Sequence, residues 1–316
     1  MASPNIRSVG TSSETAPAWS THVAGDKGYR FVHSEAANVS TPAGWTLVDG
    51  FPVGNGAGNV FIYVFEKTAA SSSEAAVTLT GGTVPFGFII AVQNAWGCIA
   101  SAAMGATGAV TTGICPSIRA PVDATLVLNV LAWALDSAGA LASSWTNASL
   151  TSFAEQFDSG TVTNGGGGIT LAAGTLAAAG KVDPATVTLT STQFASGTLV
   201  IAPSGQNTFS GTVTIDGSPA PNTSSGSPKV YLYDKTQPLA SVLVTAVDIT
   251  GGSGAYSASV PYSDHTYIPI YERDVAGVFT MCAGAPSTSG TGKNITHNSS
   301  GGGGLKVPSA GATYVR

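Results

Sequence analysis

The first two hundred residues of this chain carry one pattern twice. Val77-Thr78-Leu79-Thr80 is followed by Gly87-Phe88-Ile89-Ile90, and 110 residues later Val187-Thr188-Leu189-Thr190 is followed by Gly197-Thr198-Leu199-Val200, with identical internal spacing. A looser echo lies upstream. Gly25-Asp26 before an apolar run pairs with Asp123 before Leu126-Val127-Leu128, and Trp45 pairs with Trp145. A period this long is not a solenoid repeat of 20–50 residues. It predicts a β-sandwich whose halves are two copies of one unit, with Val77–Thr80 and Val187–Thr190 on equivalent strands and Gly87 superposed on Gly197.

Only 9% of the 316 residues are charged, against roughly 25% in an ordinary soluble domain. At 43% apolar residues the chain has ample material for a core. Its surface must therefore be made of Ser, Thr, Asn and Gly, or be covered by partners. The net charge is −5 and the basic residues are scattered. That lacks the electrostatic footprint of nucleic-acid binding. No secretory signal is read at the N-terminus. No stretch matches a helical membrane span, since 84–110 is broken by Pro85, Gln93 and Asn94 and reads as two strands and a loop. Neither nucleic acid nor membrane is an expected partner. Cys98 and Cys115 could pair across a hairpin, but buried free thiols are the expected state of a cytosolically made chain.

Short β-branched segments separated by turn residues predict strands at 29–33, 45–48, 59–65, 75–79 and 86–92. In the second copy they fall at 125–133, 168–176, 186–190 and 197–202. The run 86–92 is apolar without alternation, which fits a strand covered on both faces. No segment sustains a 3.6-residue period. The fold class is therefore all-β, with an internally duplicated, jelly-roll-like sandwich over 1–204, a linker at 205–207 and a second sandwich over 208–316. In the second region Asp216-Gly217 signals a turn. Strands are expected at 229–233, with outward tyrosines, and at 241–249, 255–260, 267–272 and 277–282. The Ser/Gly-rich stretch 283–304 reads as a long loop, with 305–315 as a returning last strand.

The series Gly25-Asp26, Thr41-Pro42-Ala43-Gly44-Trp45-Thr46-Leu47, a glycine-rich loop and Val77-Thr78-Leu79-Thr80 resembles β-sandwich modules of tailed-bacteriophage virion structural proteins, across about 6–203. The second region is similar to transthyretin-like or carboxypeptidase-regulatory-like immunoglobulin modules. Gly211-Thr212-Val213, Val230-Tyr231-Leu232-Tyr233-Asp234 and Gly254-Ala255-Tyr256-Ser257 carry that resemblance, and the insertion 283–304 departs from it. Neither family brings catalytic residues to positions here.

Catalytic vocabulary is missing from the sequence. There is no Gly-x-Ser-x-Gly elbow, P-loop, His-Glu-x-x-His or Cys-x-x-Cys. The glycine runs do not precede helices. Asp264-His265 reads as a turn pair. No catalytic residue, metal ligand or cofactor is expected. The aromatic residues are the remaining candidates. Trp19, Trp45, Trp96, Phe86, Phe88, Ile90, Trp133 and Trp145 are the candidate interface set, and Tyr231, Tyr233, Tyr262, Tyr267 and Tyr271 a candidate recognition surface. The resemblance implies a non-enzymatic component of a virus particle, a capsid decoration or head-fibre protein assembled in the host cytoplasm. A tail, baseplate or receptor-binding fibre protein is the alternative, and a carbohydrate-binding or glycan-active protein the second. Expected partners are other virion proteins (major capsid or tail proteins) and further copies of the chain, with a host-surface glycan as an additional candidate.

Overall fold

The structure, a computed structural model, describes residues 3–163, 166–204, 207–215, 217–220, 229–234, 242–249, 253–260, 267–275, 278–283, 287 and 295–297. Strands joined by turns and irregular segments make up the described residues, and no α-helix occurs among them. The chain divides into two compact units, Met1–Ser204 and Gly205–Arg316.

In the first unit, β1 (Asn5–Val9), β2 (Lys27–Ser34), β3 (Thr46–Leu47), β4 (Val53–Gly54), β5 (Phe61–Thr68) and β6 (Phe86–Gln93) form one antiparallel sheet. Its order is β1-β6-β2-β5-β3, with β4 also on β5. The remaining strands are β7 (Ala95–Cys115), β8 (Ile118–Ala120), β9 (Thr125–Trp133), β10 (Ala142–Thr146), β11 (Thr151–Thr161), β12 (Gly167–Leu176), β13 (Gly180–Val182) and β14 (Ala185–Pro203). They give a second sheet of order β10-β14-β9-β12-β11, with β7 also on β14, and a small β8–β13 pair.

The two large sheets pack face to face. Side chains of a strand alternate between faces. Tyr29, Phe31, Ile62, Val64, Phe86, Phe88 and Ile90 of the first sheet therefore meet Leu128, Val130, Ile169, Leu171 and Leu199 of the second in one core. Phe88 stacks on Phe31 at 5.2 Å and on Phe157 at 3.8 Å between ring centres. Burying each such side chain is worth about 1.5–3 kcal/mol.

Both outer faces are covered by the chain itself. On the first sheet, Val32, Tyr63, Phe65, Ile89 and Ala91 lie under Trp19, Trp45, Val77 and Leu79. On the second, β7 and β14 form a ribbon of 21 and 19 residues. Register shifts between Thr188 and Phe194 interrupt this ribbon, and shifts of this kind bend a strand. Its far end lies over the sheet it belongs to. Val187 and Leu189 pack on Leu131 and Trp133, Ser196 Oγ donates to Ile114 O, and Thr198 Oγ1 donates to Pro116 O. The β8–β13 pair covers Val127 and Val200 in the same way.

The duplication holds in topology and fails in residue register. In each sheet the first of three strands lies between the second and third: β2 between β5 and β6, and β9 between β12 and β14. Gly87 pairs with Val32, which belongs to the outer layer. Gly197 pairs with Val130, which belongs to the central core. A Cβ at Gly197 would stand 2.5 Å from Phe51 Cζ, inside that core. The two glycines therefore face opposite ways, and a one-residue slip in a strand exchanges its faces. The expected superposition of Gly87 on Gly197 is corrected. So is the strand at 75–79, which is extended but joins no sheet, whereas Val187–Thr190 belongs to β14.

Three further expectations change. No loop separates the strands within 84–110, because β6 passes to β7 through Asn94 alone, at φ 56°. Asn tolerates this left-handed conformation better than most residues. Cys98 and Cys115 lie on one strand, β7, and are free, so they do not face each other across a hairpin. The stretch 283–304 is not all loop, because it contains a strand at Ile295–His297.

In the second unit, β15 (Asn207–Ile215), β16 (Ser218–Pro219), β19 (Ala255–Val260) and β22 (Ile295–His297) form one sheet, with β22 parallel to β15. The other sheet has the order β18 (Val242–Asp248), β17 (Lys229–Asp234), β20 (Tyr267–Val275) and β21 (Val278–Ala283). Phe209, Val213, Val230, Leu232, Tyr256, Tyr267, Tyr271 and Ile295 are buried here. The expected strand at 305–315 and the Asp264-His265 pair lie outside the described residues.

Candidate functional site

A groove of about 520 Å³ opens on the outer face of the first sheet. Its walls are the turn at 40–45 and the extended segment 74–80, and Trp45, Lys67 and Val77 contribute to its lining. Local sequence explains both walls. Pro42 O accepts the N–H of Trp45 at 3.1 Å, closing a turn through Gly44, whose φ is 75°. Segment 75–80 alternates. Val77 and Leu79 pack on the outer layer, while Ala76, Thr78 and Thr80 are exposed.

The hydrogen bonds of the segment follow the same period. Successive residues of an extended chain direct their N–H and C=O groups to opposite edges. Val77 N–H donates to Pro17 O at 3.1 Å and Leu79 N–H to Thr15 O at 2.6 Å. Ala76, Thr78 and Thr80 therefore present the other edge to the turn at 40–45. On that edge Thr80 O accepts Ser40 N–H at 2.8 Å, and Thr78 O accepts Arg30 Nη2 at 3.2 Å. The N–H groups of Ala76 and Thr78 have no hydrogen-bond partner in the described structure.

Arg30 bonds to Thr78 O but is not among the residues that line the groove. It lies on β2 and is 1% exposed, and its Nε and Nη1 have no hydrogen-bond partner. Burial pulls its pKa down to about 10, so the guanidinium remains charged at neutral pH. The other charges near the groove are satisfied. Lys67 Nζ pairs with Glu74 Oε2 at 2.5 Å, and Glu74 Oε1 accepts Ala70 N–H. The Lys67 ammonium, with backbone N–H groups, holds the Glu74 carboxyl below its ordinary range. Nearby, His22 Nε2 accepts Glu74 N–H at 3.0 Å and its Nδ1 donates to Ser20 O, which fixes the start of the segment.

Most of the sequence candidates are in the interior. Phe86, Phe88, Ile90 and Trp133 are at most 5% exposed and belong to the unit's own cores. They are removed from the candidate interface, because Phe86, Phe88 and Ile90 fill the core between the sheets and Trp133 packs with Val187 and Leu189, while the second face of 86–92 is covered by Trp19, Val77 and Leu79 of the same chain. Trp19 and Trp45 are buried against each other at 5.6 Å, and Trp45 also lines the groove. At 6% exposure Trp45 cannot offer a flat stacking face to a sugar ring. Trp96 and Trp145 are half-buried, and Trp145 Nε1 donates to Thr170 Oγ1. Tyr267 and Tyr271 leave the candidate recognition surface. Odd positions of β20 face inward, and both are fully buried, Tyr267 against Phe209. Tyr231 is half-buried. The side chain of Tyr233, and Tyr262 altogether, lie outside the described residues. Sequence reasoning missed Arg30, although a lone cation in Gly28-Tyr29-Arg30-Phe31-Val32 was the available signal.

Family models, curated proteins and solved structures yielded no match to the chain. Among the described residues no cluster of three or more His, Cys, Asp or Glu side chains is placed to hold a metal. The Cys98 thiol is pushed up to about 12, by burial and then by the Glu66 charge, so at neutral pH it is not a nucleophilic thiolate.

Proposed function

We propose that the chain is a non-enzymatic structural component of a bacteriophage particle, with a capsid decoration or head-fibre role as the leading reading. The observation that carries it is the first unit's construction. It is a sandwich whose two sheets are each covered on both faces by its own chain. Such a body is rigid and self-contained, and it suits repetitive attachment to a lattice. The ordered motifs of 6–203 and the immunoglobulin-like second unit support the same context by resemblance. The first unit is proposed as the anchor. The groove beside segment 74–80 supports that assignment in place of the buried tryptophans.

With 6 basic and 11 acidic residues in 1–204, and 6 of each in 208–316, contacts with the particle rest mainly on shape, apolar area and backbone pairing. The full chain bound to particles should therefore resist 1 M salt and be released by urea below its own unfolding range. Release by salt alone contradicts this attachment mode. Imaging of labelled chain on intact particles tests the location. Label on the capsid shell supports the decoration reading, label on the tail selects the tail or baseplate alternative, and no particle-bound label rejects both.

A further inference from the structure

We propose that the edge of β7 from Ala100 to Ala106 is a self-association site. A second copy of this chain adds the same strand there, antiparallel, and makes a two-fold dimer with one continuous sheet.

This edge differs from the other sheet edges of the first unit. An exposed strand edge is a template for pairing with another chain, and proteins commonly blunt it with charge, proline, shortness or a bulge. β1 carries Arg7 and a register shift between Ile6 and Ser8. β3 and β4 have two residues each, and β8 and β13 three each, with Arg119 and Lys181. β10 has five residues, a register shift, and Ser144 at φ 54°. β11 carries Glu155, Asp158 and two register shifts. β7 has 21 residues with neither a charge nor a proline among them. Its register with β14 is unbroken from Ala100 to Ala106, with a shift beyond each end. Among the described residues β14 is its one ladder partner, and no backbone N–H or C=O of 101–106 bonds outside that ladder. These residues are half-buried or exposed. Every second one turns its N–H and C=O away from β14.

The side chains select a second copy as the occupant. In an antiparallel pair about a two-fold axis, each residue of the window lies opposite or close to its own counterpart. Any charge there would meet its like, which destabilises a strand pair. Ala95–Cys115 contains none, so self-pairing meets no such repulsion, whereas at β11 Glu155 and Asp158 would oppose it. Ala103 packs on the central core, so 101, 103 and 105 face inward. Ala102 and Met104 face the other side and belong to none of the unit's apolar clusters. They are free to line a contact with the added strand. A two-fold contact uses the same patch on both copies. One such edge per chain therefore closes the assembly at two.

The virion reading is not required here, and each can fail alone, because the test uses the purified full chain without particles. Sedimentation equilibrium should show monomer and dimer in exchange at micromolar chain, with the same balance in molar salt. Hydrogen exchange at alternate amides of 101–106 should slow as the chain is concentrated. Ala102→Lys combined with Met104→Lys should raise the dimer dissociation constant at least tenfold, and Met104→Lys alone serves if the double variant does not fold. Met104→Glu should weaken self-association in the same way, and mixing it with Met104→Lys should restore a mixed dimer. A chain that stays monomeric at millimolar concentration would overturn the proposal. So would a dimer whose 101–106 amides exchange as fast as in the monomer, or one indifferent to these charges.

Discussion

The carboxylate of Glu66, on the first sheet, accepts the backbone N–H of Cys98, on the second, at 2.7 Å. The same carboxylate accepts Tyr29 Oη at 2.7 Å and Lys27 Nζ at 3.0 Å. Burial, and then the Glu66 charge, pushes the Tyr29 phenol well above its ordinary 10, so it stays a donor. The cluster ties the two sheets together just after the chain crosses between them at Asn94. Glu66→Ala should destabilise the first unit by about 3 kcal/mol, since a charged acceptor is lost and a buried phenol is left unpaired. Glu66→Gln should cost about 1 kcal/mol. Denaturant unfolding of both variants checks the order, and equal effects would show that the charge contributes nothing.

His33 gives the fold an acid limit. Its ring lies against Gly167, fully buried, and neither nitrogen has a partner. Burial lowers its pKa from 6.5 to about 4. The unfolded chain therefore takes up a proton near pH 6.5 that the folded chain resists. Stability is complete above pH 6.5, falls as pH drops toward 4, and is reduced by about 3 kcal/mol below that. Among nearby acids, Glu14 is bound by Thr161 and Thr163, and Glu35 is raised by burial and then by Asp136. None of them hydrogen-bonds His33. In His33→Leu, the slope of unfolding free energy between pH 6.5 and 4 should flatten.

Asp158 acts in the opposite sense. Its Oδ2 accepts Ala142 N–H at 2.8 Å, while its buried Oδ1 has no partner. Burial first, and Glu155 among the lesser causes, raises its carboxyl from 3.8 to about 6. The folded state binds this proton more tightly, so the contribution is full below pH 3.8 and is lost as pH rises through 6. Asp158→Asn keeps an acceptor for Ala142. It should raise the melting temperature at pH 7 and leave it unchanged at pH 4. A gain of equal size at both pH values would rule out ionisation as the cause.

The thiols provide a chemical check on burial. Cys115 donates to Val130 O inside the second sheet, and burial pushes its thiol above the ordinary range, as it does that of Cys98. Alkylation at pH 8, mapped by mass spectrometry, should leave both unmodified in native protein and label both in denaturant. Rapid native labelling of Cys115 would mean that the far end of the β7–β14 ribbon opens readily.

Strand identity was legible in the sequence wherever local apolar content decided it. The β-branched and aromatic runs at β2, β5, β6, β9 and β12 are strands because their side chains fill the sandwich. What covers the outer faces was not legible. Val77-Thr78-Leu79-Thr80 and Val187-Thr188-Leu189-Thr190 are the same four residues, yet one is an isolated strap and the other part of a long ladder. Tertiary partners make that difference, as they commonly do for strand-forming segments. Tyr267 and Tyr271 show the same limit, because spacing alone places them on one face without saying which face is inside. The groove edge was illegible for a related reason. Its free N–H groups depend on which neighbour each residue of 75–80 meets.

The position of β14 has a consequence for how the protein is made. It is the last strand of the first unit to leave the ribosome, yet it lies between β7 and β9 and also carries β10. Until residue 203 emerges, β7 lacks its partner and β9 one of its two, and the core contributed by Leu199 and Ile201 is missing. The nascent second sheet is therefore an incomplete, adhesive surface throughout its synthesis. Closing it joins segments far apart in sequence, the kind of contact that slows folding. Newly made chains should depend on chaperones up to the moment β14 inserts, and become self-sufficient once it has.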